Sequence, residues 1–167
     1  MAFKCEPFSA LDSQTLFAIM RERVDVFVVE QVCPYPELDD HDIADTTRHV
    51  YLLDGQTVYA YARCYEKDAH YSAIGRVLVA QSQRSSGLGK ELVSQAIACC
   101  RTHWPTRDIY IGAQTYLLNF YRSFGFECVG EEYLEDGIPH EGLSMNSSFW
   151  IKMHSLMRHD VNANTNG

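Results

Sequence analysis

The chain has no run of about 18 apolar residues, the length a helix needs to cross a bilayer. Its start, Met1-Ala2-Phe3-Lys4-Cys5-Glu6, lacks the basic-then-apolar order of a secretory signal. Both absences point to a cytoplasmic protein with no membrane partner. There is no C-x-x-C pair and no helical H-x-x-x-H spacing. The cysteines, Cys5, Cys33, Cys64, Cys99, Cys100 and Cys128, are scattered apart from one adjacent pair. The expectation is reduced, mostly buried thiols, with no metal and no disulfide. Positive charge is also scarce: 14 Lys and Arg stand against 22 Asp and Glu, a formal net charge of −8. That argues against a nucleic-acid backbone as partner. It suits a cationic small substrate, although acidity also serves solubility.

What is present is enough for one core. A chain of 167 residues that is 46% hydrophobic suits a single domain. Residues 1–150 read as that domain and residues 151–167 as a partly disordered tail, frayed from Asn162 to Gly167.

Phe3 to Phe8 reads as a first strand. Asp12 or Ser13 can cap a helix whose apolar face is Leu16, Phe17, Ile19, Met20, Val24, Phe27 and Val28. Cys33-Pro34-Tyr35-Pro36 ends it. The acidic stretch from Glu37 to Asp42 reads as a loop. His49 to Leu53 and Thr57 to Tyr65 flank Asp54-Gly55, a hairpin signal. Ser72 to Val79 is a further strand. A helix from Gly87 buries Leu88, Leu92, Val93, Ala96, Ile97 and Cys100 and closes at Trp104-Pro105. Asp108 to Ala113 is a short strand, and Tyr116 to Phe124 a short helix capped by Gly125. Phe126 to Leu134 and His140 to Phe149 are two last strands around Glu135-Asp136-Gly137. The order β-α-β-β-β-α-β-α-β-β implies a mixed α/β (α+β) domain.

The segment Gln83-Arg84-Ser85-Ser86-Gly87-Leu88-Gly89-Lys90 runs from a strand into a helix. Such a turn aims backbone N–H groups at an anion, and the helix dipole adds about half a positive charge. A P-loop fails here because Arg84 stands for the first glycine and Glu91 for the hydroxyl. A dinucleotide fingerprint fails because Leu92 occupies the third glycine position.

The pattern [RQ]-x-x-G-x-[GA] from Arg84 to Gly89, after an aliphatic strand, resembles the coenzyme A motif of the GNAT superfamily of N-acetyltransferases. Asn119-Phe120-Tyr121-Arg122-Ser123-Phe124-Gly125-Phe126 resembles that superfamily's second motif, in the right order and spacing. Phe27 to Tyr35, Ile74 to Val77, Gly112-Ala113-Gln114 and Glu135 to His140 resemble its ElaA-like branch.

The resemblance implies a GNAT fold: a mixed, mostly antiparallel sheet of about seven strands, flanked by helices and splayed between the fourth and fifth. It implies acetyl-CoA as co-substrate, no metal, and transfer to an amine of a small molecule or peptide by direct attack in a ternary complex. A non-catalytic acyl-CoA-binding sensor is the alternative, and a homodimer is compatible with the likeness. The implied coenzyme site comprises Val77, Leu78, Val79, Arg84, Ser85, Ser86, Gly87, Leu88, Gly89, Lys90, Asn119 and Tyr121. Tyr121 would donate to the departing thiolate.

The amine must attack uncharged. Deprotonation at pH 7 costs roughly 4–5 kcal/mol for a lysine-like amine and about 1 for an α-amine. Candidate bases are Glu30, Asp39, Asp40, His49 and His140, with Glu30 taken first. His41 reads as a loop residue. Arg63 and Arg76 suit a substrate carboxylate or a carboxylate of the chain itself.

Overall fold

A computed structural model of the chain describes residues 1–148. The expected tail at 151–167, and the end of the last strand at Phe149, lie outside the described residues. Among the described residues, no helix is long and apolar enough to cross a membrane.

Strand β1 is Lys4–Glu6 and helix α1 is Ser13–Arg23. The Asp12 carboxylate caps α1 by accepting from the Thr15 N–H at 2.7 Å. The helix then widens into a π-helical segment, Val24–Glu30, which the apolar spacing did not foretell. Strands β2 (Arg48–Asp54), β3 (Thr57–Glu66) and β4 (Tyr71–Val79) form an antiparallel meander. Helix α2 (Leu88–His103) leads to β5 (Asp108–Gln114). A 3-10 turn, Thr115–Leu117, opens the short helix α3 (Leu118–Arg122). The Gly125 N–H closes α3 by donating to the Arg122 carbonyl at 2.9 Å, at a φ of 99°.

The last expected pair is three strands, β6 (Glu127–Cys128), β7 (Tyr133–Glu135) and β8 (Ile138–Met145). β6 and β7 both pair with β8, so they are one strand interrupted by a bulge that contains Gly130, at a φ of 96°. With β6 and β7 counted separately, the sheet has eight strands among the described residues, in the order β1-β2-β3-β4-β5-β8-β6 with β7 against β8.

Both sheet faces are covered, which makes β2 and β3 read as nearly continuous apolar runs. Val50, Leu52, Ala60, Ala62 and Ile74 meet Leu92, Val93, Ala96 and Ile97 of α2. The alternate residues Tyr51, Val58 and Tyr61 meet Ala18 and Ile19 of α1 and Val26. Side chains of β2 and β3 thus alternate between the faces, with the alternation reset at Tyr59, where β3 bulges opposite Leu52 and Leu53. This is the mixed α/β arrangement that the order of elements in the sequence implies.

The acidic loop is in part buried, at Glu37 and Asp42. Asp40–Asp42 forms a 3-10 turn closed by a capping box between Asp39 and Asp42. Arg23, fully buried, donates to Glu37 at 2.8 Å and to Asp42 at 2.6 Å. Arg63 donates to Asp39 at 2.7 Å and to Asp42 at 2.9 Å. Arg76 pairs with Glu37 at 3.0 Å. Three of the loop's carboxylates, Glu37, Asp39 and Asp42, meet three guanidiniums and spend their charge within the chain, while Asp40 stays exposed. Burial alone would raise the Asp42 carboxyl, but the hydrogen bonds from Arg23 and the Asp39 N–H outweigh it and hold Asp42 at about 2.

Candidate active site

The seam between β4 and β5 decides where a ligand fits. The two strands run parallel and pair only at Tyr71↔Asp108, Ser72↔Ile109 and Ala73↔Tyr110. Beyond Ala73 the pairing stops, and a cleft of about 650 Å³ opens. One cause lies within β4. Its register against β3 slips between Tyr61 and Arg63, and Arg76 adopts a φ of 51°. A bulge of this kind bends its strand and increases the local twist. Arg76 carries the left-handed strain because its guanidinium is tied to Glu37 and stacks on Tyr35, 5.6 Å from the ring centre. The edge of β4 from Gly75 to Val79 is thereby left for another acceptor and donor.

The glycine loop stands at the mouth of this cleft. Ser85 and Gly87 have φ values of 64° and 86°, and Gly87 is the N-cap of α2 with no side chain to cap it. The first amides of a four-turn helix are left to an external acceptor. Gly89 lines the cleft, where a Cβ would sit 3.7 Å from Phe120 and 3.8 Å from Val79, ordinary contact distances. Arg84 also lines the cleft. Its Nε donates to the Val79 carbonyl at 3.0 Å, and its two terminal nitrogens grip both oxygens of Glu30. The loop is therefore fastened at its first residue and open at its last.

The expected site residues divide accordingly. Val77, Leu78, Val79, Arg84, Gly89, Glu30 and Tyr121 all line the cleft. Ser85, Ser86, Gly87, Leu88 and Lys90 sit on the loop and first helical turn beside it. Asn119 is on the exposed side of α3, 3.5 Å from the Arg122 guanidinium, and outside the cleft wall. Tyr121 is 4% exposed, with edge-on contacts to Phe120 and Phe126. Burial pushes its phenol above the ordinary tyrosine value, so it stays protonated at neutral pH and keeps a proton to donate.

The candidate bases also separate. Glu30 is held below the ordinary carboxylate range by the hydrogen bond from Arg84, and its oxygens are already occupied. Asp39 is engaged by Arg63. His49 is fully buried, bonded to Tyr61 at 2.7 Å and to the Asp42 carbonyl at 3.0 Å, and burial lowers its proton affinity. None of Asp39, Asp40 and His49 lines the cleft. His140 does. Its Nδ1 donates to the Ile138 carbonyl at 2.7 Å, which turns Nε2 toward Glu135, 3.3 Å away. Arg63 and Arg76 line the cleft but spend their charge on Glu37, Asp39 and Asp42.

Sequence reasoning overlooked the far wall, where Tyr110, Gly112, Tyr133 and Glu135 stand with His140. Tyr133 stacks on His140 at 5.8 Å, and a Cβ on Gly112 would lie 2.6 Å from the Tyr133 hydroxyl. Glycine at 112 is what lets that tyrosine cross β5. The segments Gly112-Ala113-Gln114 and Glu135 to His140 were visible as family-like strings, but nothing in them announced this contact.

The family model described as acetyltransferase (GNAT) domain matches residues 17–147. Protein ElaA of Escherichia coli strain K12 is 42% identical over 138 residues, covering 81% of this chain and 90% of that one. Its crystal structure superposes with a TM-score of 0.83 at 39% identity, over 87% of this chain and 100% of that one. An acyl-CoA N-acyltransferase from Pseudomonas aeruginosa gives 0.82 at 34% identity, over 86% and 97%. A CoA-dependent acyl-homoserine lactone synthase, solved with isopentyl-CoA, gives 0.69 at 17% identity over 92% and 87%, and shares the fold alone.

Proposed function

This chain belongs to the GNAT family of acetyltransferases, and we propose that it moves an acetyl group from acetyl-CoA to an amine of a small molecule or peptide. The observation that carries this reading is the parting of β4 from β5 beside a helix whose N-cap is a bare glycine. A CoA thioester has a pyrophosphate, an amide-bearing arm and a reactive carbonyl, and the site offers a complement to each.

The pyrophosphate would lie on the amides of Ser85 to Gly89, drawn by the helix dipole, with the Lys90 side chain beside it. The pantetheine arm would add to the free edge of β4 at Val77 to Val79, as a peptide adds to a sheet. The Val79 N–H or a neighbour would polarise the thioester carbonyl, a donor already fixed before charge develops. The amine nitrogen attacks that carbon directly, the C–S bond breaks, and Tyr121 gives its proton or hydrogen bond to the departing thiolate. The proton lost by the amine goes to Nε2 of His140, the one candidate base on the cleft wall not held in an arginine pair. Glu30 serves as the brace of Arg84. The six free thiols suit a cytoplasmic setting.

One assay tests the reading. The protein is mixed with acetyl-CoA and a panel of amines, and free thiol is followed. Amine-dependent release is expected. Thermal stabilisation by acetyl-CoA with no release on any amine would make this a sensor. No stabilisation at saturating coenzyme would remove the coenzyme site altogether.

A further inference from the structure

We propose that the chain binds a zinc ion at a second site, formed by Cys5, Cys99 and His103, none of which lines the cleft. The sulfurs of Cys5 and Cys99 and a ring nitrogen of His103 all lie within 4.8 Å of one another. They come from two elements. Cys99 and His103 are four residues apart on α2 and so share one face of it. Cys5 arrives from β1, which is held in place by its pairing with β2, where Cys5 opposes Val50.

The spacing is close to what zinc requires. Zn–S bonds of about 2.3 Å and Zn–N bonds of about 2.0–2.1 Å put tetrahedral ligands roughly 3.5–3.8 Å apart. Side-chain rotation of about 1 Å would gather the three atoms around an ion. Two sulfurs and an imidazole make a soft donor set, suited to zinc and poor for magnesium or calcium. Two thiolates would neutralise the ion's charge, and water would complete the fourth position. Cys99 is buried while Cys5 and His103 are exposed, which gives the site an anchor and an entrance. A bound ion would staple the edge strand β1 to the C-terminal half of α2, and its binding energy would add to folding.

Cobalt(II) reports on this site without any turnover. The full chain is reduced, stripped with a chelator and titrated with cobalt(II) alone. Sulfur-to-cobalt charge transfer and tetrahedral d–d bands should saturate at one ion per chain and vanish when zinc is added. Cys5→Ser and His103→Gln alter exposed side chains and should each weaken cobalt binding by about 100-fold or more. Cys128→Ser should bind as the parent does. Zinc should raise the melting temperature of the parent and leave that of Cys5→Ser unmoved. Absence of charge transfer overturns the site, as does unaltered cobalt affinity in Cys5→Ser and His103→Gln with native circular dichroism.

Discussion

Two polar segments serve the same cleft, and they differ in what they leave unpaired. Residues 37–42 meet it through Arg63 and Arg76, and every carboxylate they offer to those arginines and to Arg23 is matched. The loop from Gln83 to Gly89 meets the cleft directly; its one charge, Arg84, is paired with Glu30 and the Ser86 hydroxyl donates to Gln83, but the amides that open α2 have no side-chain cap. The first segment closes on itself and is structure. The second leaves the first amides of its helix without a side-chain cap, and we propose it as the coenzyme site. If so, substitutions in the two segments should have separable effects, one on stability and the other on binding.

The largest effect is expected at Asp42. Asp42→Asn leaves Arg23 and Arg63 short of an anion in a buried setting, and breaking such a pair costs about 3–5 kcal/mol. Urea unfolding should show that loss, while acetyl-CoA affinity of the folded protein stays within about twofold. Acid adds a second test. Asp42 titrates at about 2 in the folded chain, against about 3.9 unfolded. A depressed carboxylate stabilises the fold above the unfolded value and loses that contribution as pH falls through the folded one. Roughly 2 kcal/mol should therefore disappear between about pH 4 and pH 2. Asp42→Asn should flatten that limb. A full loss of coenzyme binding at unchanged stability would reverse the assignment of the two segments.

Gly89→Asp is the mirror experiment. An acidic residue in the first turn of α2 suits the helix dipole, so stability should hold or rise. A carboxylate about 5 Å from the pyrophosphate repels it by about 3 kcal/mol at an effective dielectric near 20, or roughly 100-fold in affinity. Gly89→Ala should change affinity only a few-fold, because its Cβ finds ordinary contacts at 3.7 and 3.8 Å. Isothermal titration with acetyl-CoA separates the pair, and equal losses would mean that shape rather than charge governs the loop.

Tyr121→Phe asks whether the open side also carries chemistry. It should lower kcat by about 10- to 100-fold through loss of the proton donor. KM for acetyl-CoA should move less than about threefold, since the ring and its contacts to Phe120 and Phe126 remain. An unchanged kcat would return Tyr121 to the core.

The open segment could be read from the sequence because its message is local. Glycines 87 and 89, the preceding aliphatic strand and the following amphipathic helix are contiguous. The Asp54-Gly55 hairpin was legible for the same reason. The closed segment was read only as an acidic loop because its cations come from α1, β3 and β4, and adjacent residues say nothing of them. The trio at Cys5, Cys99 and His103 was invisible likewise, since only the approach of β1 to α2 assembles it. The π-helical turn at Val24–Glu30 keeps the apolar content of a helix, and spacing alone does not register the wider turn.

The smallest effect is expected where the two kinds of behaviour meet, at the pair of Glu30 and Arg84. Both side chains are 39% exposed, so the pair is screened and worth about 0.2–1 kcal/mol. Glu30→Gln keeps the shape and removes the charge. Arg84 retains its bond to the Val79 carbonyl, so the loop should keep its course, and the freed guanidinium charge should leave coenzyme affinity equal or slightly higher. If Glu30 only braces Arg84, kcat falls less than about threefold, with the same pH profile as the parent. A general base at this position would instead show a loss of about 100-fold or more in kcat. That loss would be steepest for strongly basic amines, which most need deprotonation. His140→Gln run alongside should show the large loss that Glu30→Gln does not. The reverse outcome would move the base from the wall formed by β8 to the end of the π-helical segment, and would put the amine on the same side of the cleft as the glycine loop.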